Sequence, residues 1–336
     1  MSLSIEGIEP LAKVPELLQL FRDNGEPLIA DFIQRAYPVL ARAGARSWIG
    51  HDEAGRVVMH IARFRHTYQF GTEELVGGLL GNLMVDAAHR TFFPAMSLVR
   101  RLVEETRRSR AVDFLYADPH NGAPAILKAA GFRPLGTLRR FILPVSDHRT
   151  PISLALSVWH GARGMRAGAR ALSPEARPAS LSVPSWTEMP TGVSNRLRPV
   201  RPADWYGNRL GGFPSPQDWW MIADAAPGES PALAALVRAV EEPAGLFTLC
   251  ALHRDPSLSV RTAIAAILPT LREQGCTRLQ IWTISESEFA GELRAAGFSD
   301  RYDDDSPVVV LPVTERGQEV TASPAMWETT HIDYDR

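Results

Sequence analysis

Cysteine is nearly absent from the sequence: Cys250 and Cys276 are the only two in 336 residues. Two thiols cannot build a disulfide framework, which excludes the small disulfide-rich scaffold class. They read as reduced core thiols of a cytoplasmic protein. Long apolar runs are missing too. No stretch reaches the roughly 18 residues that a membrane span needs. The opening MSLSIEGIEP has no basic segment followed by an apolar run, so no secretory leader is expected. Neither charge sign dominates: 36 Lys and Arg against 38 Asp and Glu leave −2. That offers no global basic field and excludes nucleic acid as an expected partner. There is no C-x-x-C pair and no H-E-x-x-H, and no metal is expected. What remains is ordinary globular composition, 45% hydrophobic and 22% charged.

An internal repeat organises the chain. Residues 127–132 read LKAAGF and residues 293–298 read LRAAGF, 166 positions apart. The same offset brings Val112–Tyr116 onto Arg278–Trp282, and Leu80–Val85 onto Leu246–Ala251. It also lays Leu98, Val99 and Leu102 on Ile264, Ala265 and Leu268. Two copies of one unit are therefore expected. The stretch 173–197 between them has four prolines and little periodicity, which is linker composition. Residues 152–170 suit a helix with a basic end. Such a helix lies on a membrane surface or docks on its own domain; docking is the reading adopted, and no membrane association is expected. The division is 1–150, then a helix and linker at 151–197, then 198–336.

In the first half, residues 10–21 and 27–41 carry apolar residues at helical spacing. Arg46–His51 and Val57–Phe64, joined by a turn at residues 52–55, predict a hairpin. Leu75–Val85 predicts a strand. The face Ala95, Leu98, Val99, Leu102, Val103 predicts a helix over 94–108. Val112–Ala117 predicts a strand, 121–130 a short helix closed by Gly131, and Leu135–Leu143 a last strand. This order suits an α/β fold, a mixed sheet with helices on both faces. The second half repeats its core at 246–251, 261–274, 277–284 and 288–296.

Two segments carry a family resemblance. One is Leu83-Met-Val-Asp-Ala-Ala-His-Arg90-Thr-Phe-Phe-Pro-Ala95-Met-Ser-Leu98, a strand, an Arg-bearing loop and a helix start. The other is Tyr116-Ala-Asp-Pro-His120-Asn121, followed by a short helix ending in Gly131-Phe132. Together they resemble the GNAT acyltransferase superfamily, over about residues 75–143. The resemblance implies two tandem GNAT-like units and an N-terminal unit that binds acetyl-CoA or another acyl-CoA. Independently of the name, a loop running into a helix N-terminus presents unpaired N–H groups and a positive dipole end. That suits a pyrophosphate. On this alignment Leu83, Met84, Val85, Arg90, Thr91, Phe92, Phe93, Ala95, Met96 and Asn121 are the expected donor contacts. The two-unit layout and the Trp327…Asp333-x-Asp335 ending are similar to tandem acyltransferases of bacterial surface-polysaccharide clusters.

The pattern is broken in places. Phe93 stands where the family has glycine, and Pro94 removes an N–H. The tyrosine that many members use to protonate the leaving thiolate falls on Leu127. Tyr116 and His120 are the nearest substitutes; the duller readings are a packed sheet tyrosine and a loop histidine. Asn82 suits orienting an acceptor amine or a water, or is a strand asparagine bonded to backbone. Glu73 and Glu74 are a distant base or a solvated turn. His60 and His66 share one strand parity, which gives one functional face or two structural histidines. The run Arg100, Arg101, Arg107, Arg108, Arg110 meets an anionic group or is a solvated face.

The second half has Pro256 at the Arg90 position and Asp255 where a phosphate would sit, so it reads as degenerate for donor binding. Trp205, Tyr206, Trp219 and Trp220 line an acceptor site or pack in a core. The function expected is acyl transfer by direct attack of an amine or hydroxyl on a thioester, with a small-molecule or sugar-like acceptor. An acyl carrier protein is an alternative donor. The rival class is a non-catalytic GNAT-like binding or scaffold protein.

Overall fold

The computed structural model of the chain describes residues 3–120, 122–145, 194–201, 219–223 and 232–330. The expected helix at 152–170, most of the linker, and Trp205, Tyr206 and Asn121 lie outside the described residues. Two units emerge, each assembled from separated pieces of chain. The first comprises Met1–Gln69, Glu73–Gly136 and Ser306–Ser323. The second comprises Phe70–Thr72, Thr137–Asp305 and Pro324–Arg336.

The first unit begins with β1 (Ser4–Ile8), α1 (Val14–Asp23) and α2 (Pro27–Arg42). Both helices carry proline in their first turn, where its missing N–H costs little. The meander β2 (Arg46–His51), β3 (Val57–Phe70) and β4 (Glu73–Val85) follows, then α3 (Phe92–Ser109), β5 (Phe114–Ala117) and α4 (Ala123–Ala129). The sheet runs β1-β2-β3-β4-β5 and is continued by the later part of β12 (Ser299–Pro312). There Val309 pairs with Ala117 and Leu311 with Leu115. A last helix, α7 (Glu315–Val320), completes the unit.

The apolar face read from the sequence of α3 is its buried face. Ala95, Leu98, Val99, Leu102 and Val103 join Val58, Ile61, Leu80, Leu115 and Leu127 in one core. Each buried Leu, Ile or Val side chain there contributes on the order of 1.5–3 kcal/mol. The helix stops at Arg110, which adopts a left-handed conformation.

The second unit holds the later part of β6 (Arg133–Pro144), β7 (Arg198–Val200), β8 (Trp219–Ala223), β9 (Leu233–Ala239) and β10 (Leu246–Arg254). Then come α5 (Val260–Glu273), β11 (Arg278–Ile284), α6 (Glu288–Ala295) and the first part of β12. Its sheet order is β12-β6-β11-β10-β9-β8. Its core joins Phe141 and Leu143 of β6 with Phe247, Ile264, Leu268, Leu279, Ile281, Phe289 and Leu293.

The repeat read from sequence is a repeat of structure. β6 and β12 begin 166 residues apart, at Arg133 and Ser299, and each follows a short helix ending at a positive-φ glycine, Gly131 (98°) or Gly297 (101°). The two copies exchange these strands. β12 pairs with β5 of the first copy, and β6 pairs with β11 of the second through Leu279–Leu143 and Ile281–Phe141. Each sheet therefore depends on a strand from the other half of the sequence.

Candidate functional site

In the first unit β4 and β5 run parallel and pair at only three positions, Gly77–Phe114, Gly78–Leu115 and Leu79–Tyr116. β4 then continues to Val85 while β5 ends at Ala117. Two parallel strands that part after a short ladder leave backbone groups of the longer strand facing the gap. Leu83, Met84 and Val85 lie on that stretch, and Met84 and Val85 are buried.

Asn82, three residues past the last pair, has φ 55°. A left-handed non-glycine residue inside a strand costs on the order of 1–2 kcal/mol and redirects the backbone. The surroundings fix it. His60 Nδ1 is 3.0 Å from the Asn82 carbonyl oxygen, and since that oxygen only accepts, Nδ1 carries the proton. Asn82 Nδ2 donates to Tyr37 Oη at 3.1 Å. His60 Nε2, left as an acceptor, lies 3.2 Å from Ser47 Oγ and 3.4 Å from Tyr37 Oη. Burial holds the imidazole neutral, lowering it to about 4, and pushes the Tyr37 phenol above its ordinary range. Asn82 is thus bonded through its own carbonyl and amide rather than offered freely to solvent.

Tyr116 sits at the fork, opposite Leu79, fully buried. Tyr68 donates to its Oη at 2.7 Å, and His66 Nδ1 lies 2.7 Å from the same oxygen. Gly77 makes this possible: a Cβ there would meet the Tyr68 ring at 2.6 Å and the Phe114 ring at 2.9 Å. His60 and His66 do share a side of β3, as their parity indicates, but both are buried. His120 has a 60% exposed side chain 3.8 Å from the Asp118 carboxylate. Leu127 is buried in the core, so that face of α4 brings no proton donor to the gap.

The loop after β4 is closed on itself. Ala87 N–H donates to Asn24 Oδ1, Ala88 N–H to Asp86 Oδ1, His89 N–H to the Asp86 carbonyl and Thr91 N–H to the His89 carbonyl. Arg90 bonds the Val85 carbonyl through Nε (3.2 Å) and Asn24 Oδ1 through Nη2 (2.8 Å). Arg90 and Asn24 thereby fasten the loop to the end of α1. Thr91 caps α3 without a side-chain bond, which leaves the N–H groups of Phe92 and Phe93 at the helix start; Pro94 has none. The Phe92 and Phe93 rings meet edge to face at 6.0 Å and are 46% and 77% exposed. Ala95 and Met96 are buried behind them. The fit to a phosphate-bearing donor is therefore uneven: the gap suits an extended arm, while the helix start offers two N–H groups flanked by exposed rings.

Sequence reasoning missed Asn24, Tyr37, Ser47 and Tyr68, which carry no motif and act only through neighbours distant in the chain. Glu73 is paired with Arg316 at 2.6 Å, and both side chains are partly exposed. Among the basic residues of α3, Arg101 is paired with Glu105 at 2.7 Å. Cys250 and Cys276 are buried free thiols, each pushed up to about 12 by burial. Among the described residues no group of His, Cys, Asp and Glu is arranged to hold a metal, and no helix is long and apolar enough to cross a membrane.

A mixed sheet forked between two central parallel strands, with a loop and helix start at the fork, defines the N-acetyltransferase fold of the GNAT type. The chain carries this fold twice in tandem. Comparison with solved structures agrees. A GCN5-related N-acetyltransferase from Kribbella flavida superposes with a TM-score of 0.57 at 10% identity, over 93% of this chain and 72% of that one. A probable N-acyltransferase from Enterococcus faecalis gives 0.58 at 9%, over 94% and 74%. A GCN5-related N-acetyltransferase from Anabaena variabilis gives 0.57 at 10%, over 93% and 73%. No protein-family model matches the sequence. No curated protein matches it either.

Proposed function

We propose that the first unit is an acyltransferase. It moves an acetyl or longer acyl group from a coenzyme A thioester to an amine or hydroxyl acceptor, such as a small molecule or a sugar. The observation that carries this reading is the fork between β4 and β5 with Asn82 locked left-handed just beyond its last pair. An extended amide-bearing arm can pair with the exposed backbone of Leu83–Val85 as an added strand does. The thioester supplies an activated carbonyl. The chain's part is to hold the arm, exclude water and orient the attack, which needs positioning rather than a protein nucleophile. The Phe92 and Phe93 N–H groups and Arg90 would meet the phosphates. Their limited number, and the exposed rings, favour a donor held chiefly through its arm and acyl chain. The Tyr68–Tyr116–His66 chain is the proton source nearest the fork, in place of the tyrosine that Leu127 does not supply.

The loop N–H groups already bonded within residues 86–91 favour a second reading, a GNAT-like protein that binds a thioester without turning it over. Isothermal titration with acetyl-CoA and with a longer acyl-CoA, for wild type and Arg90→Ala, tests both. Binding that weakens at least tenfold in the variant, together with thiol release in an acceptor screen, supports transfer. Binding without release over a broad acceptor set favours the second reading. No binding of either thioester ends both, and leaves acyl carrier protein donors to be tried.

A further inference from the structure

The second unit repeats the fork. β10 and β11 pair in parallel at Leu246–Arg278, Phe247–Leu279 and Thr248–Gln280, and β10 then runs on to Arg254 with a register shift between Leu249 and Ala251. Beyond that ladder lies a piece of the chain's own C-terminal region. Thr330 Oγ1 donates to the Cys250 carbonyl of β10 at 2.5 Å, and Thr283 Oγ1 of β11 donates to the Thr329 carbonyl at 2.8 Å. Residues 329–330 therefore join the two strands where they part.

The segment is held along its length. Trp327 is fully buried and bridges Leu197 in parallel, and Glu328 N–H donates to the Leu197 carbonyl at 3.0 Å. The Glu328 carboxylate, 6% exposed, meets three guanidinium groups: Arg198 at 3.1 Å, Arg196 at 3.4 Å and Arg254 at 3.6 Å. Arg254 ends β10 with a 3% exposed side chain, and Glu292 of α6 also pairs with it at 2.9 Å. Arg201, also buried, donates to Thr330 Oγ1 at 3.3 Å. An extended peptide lies at the fork, and its one anion rests on a cluster of arginines. These are the two features, arm and anionic group, that a phosphate-bearing thioester would offer.

We infer that the cleft of the second unit is a peptide-binding site whose ligand is the chain's own Trp327-Glu-Thr-Thr330 segment. That segment stands where a thioester arm would lie, so each chain takes one donor and not two. The loop after β10 carries Asp255 and Pro256 and no counterpart of Arg90, so the positive charge at this fork comes from Arg196, Arg198 and Arg254, which Glu328 covers. The inference goes beyond the activity proposed for the first unit, and its test separates the two.

The test compares the full chain with a chain ending at Ala325, alone and with a synthetic peptide of residues 324–336. Coenzyme A bound at equilibrium dialysis is counted, and binding of the labelled peptide is followed by anisotropy. The shortened chain is expected to bind one more coenzyme A than the full chain, and the peptide is expected to return the count to that of the full chain. A Glu328→Lys peptide is expected to bind at least about tenfold more weakly. A folded shortened chain that ignores the peptide, or that binds no more coenzyme A than the full chain, overturns the inference. A count of none in the full chain rising to one in the shortened chain supports it and removes the donor reading of the first unit. Should the shortened chain fail to fold, Glu328→Lys in the full chain is followed by hydrogen exchange. Faster exchange of the 327–330 amides by about tenfold or more, with an added coenzyme A bound, is the expected result; unchanged exchange overturns the proposal.

Discussion

His60 donates from Nδ1 to the carbonyl of Asn82 at 3.0 Å, and Tyr37 accepts from the amide of the same residue at 3.1 Å. These two bonds keep a left-handed asparagine within β4, three residues past its last pair with β5. The bend of the candidate site is maintained from residues 22 and 45 positions away.

That arrangement makes substitutions at Asn82 discriminating. Asn82→Val has to pay the left-handed penalty with a branched side chain and leaves Tyr37 without its donor. It is expected to lower stability by about 2–3 kcal/mol. Asn82→Gly keeps the backbone conformation and is expected to lose less, about 1 kcal/mol. Urea denaturation of the two variants beside wild type measures the difference, and equal losses would show that the backbone conformation is not the cost.

Burial of His60 has a pH signature. The imidazole is held neutral down to about 4, against an ordinary 6.5. Between these values the unfolded chain takes up a proton that the native chain refuses, so stability falls as pH drops through that window. It falls by roughly 1.4 kcal/mol per unit at most, on the order of 3 kcal/mol in all. Above pH 6.5 this contribution is flat. His60→Gln is expected to be less stable at pH 7 but to lack this part of the slope, as thermal melts between pH 4 and 7 would record.

Tyr116 is expected to matter to turnover more than to binding. Tyr116→Phe keeps the ring in the core and removes the hydroxyl that Tyr68 and His66 share. With an acyl-CoA substrate it is expected to lower kcat by about 10²–10⁴ while KM changes little. A purely structural role would instead give a lowered melting temperature with kcat near wild type.

Placing a tyrosine on α4 at position 127 is expected to add no activity. Leu127 is buried in the first core, which also holds Val99, Leu115 and Phe132. Leu127→Tyr is expected to cost about 1–3 kcal/mol by overpacking and to leave kcat no higher. Gain of activity without loss of stability would mean that α4 turns to present that position.

Much of the fold was legible because it rests on period and spacing. The face of α3, the hairpin of β2 and β3, and the second-half elements fall where alternation and helical spacing put them. β1 was missed: five residues at a sheet edge give too short a pattern to stand out. Arg90 was legible as a loop cation, but its bonds to Asn24 and Val85 were not, since they depend on how α1 ends beside the loop.

By itself the sequence determined the repeat and the strand, helix, strand, helix core of each half, because local periodicity and a fixed offset survive without contacts. Only the tertiary structure decided which strand closes which sheet, that Asn82 is left-handed, and that Trp327–Thr330 lies in the second fork. Those outcomes are set by hydrogen bonds and burial between residues far apart in the chain, and no local pattern encodes such a pairing.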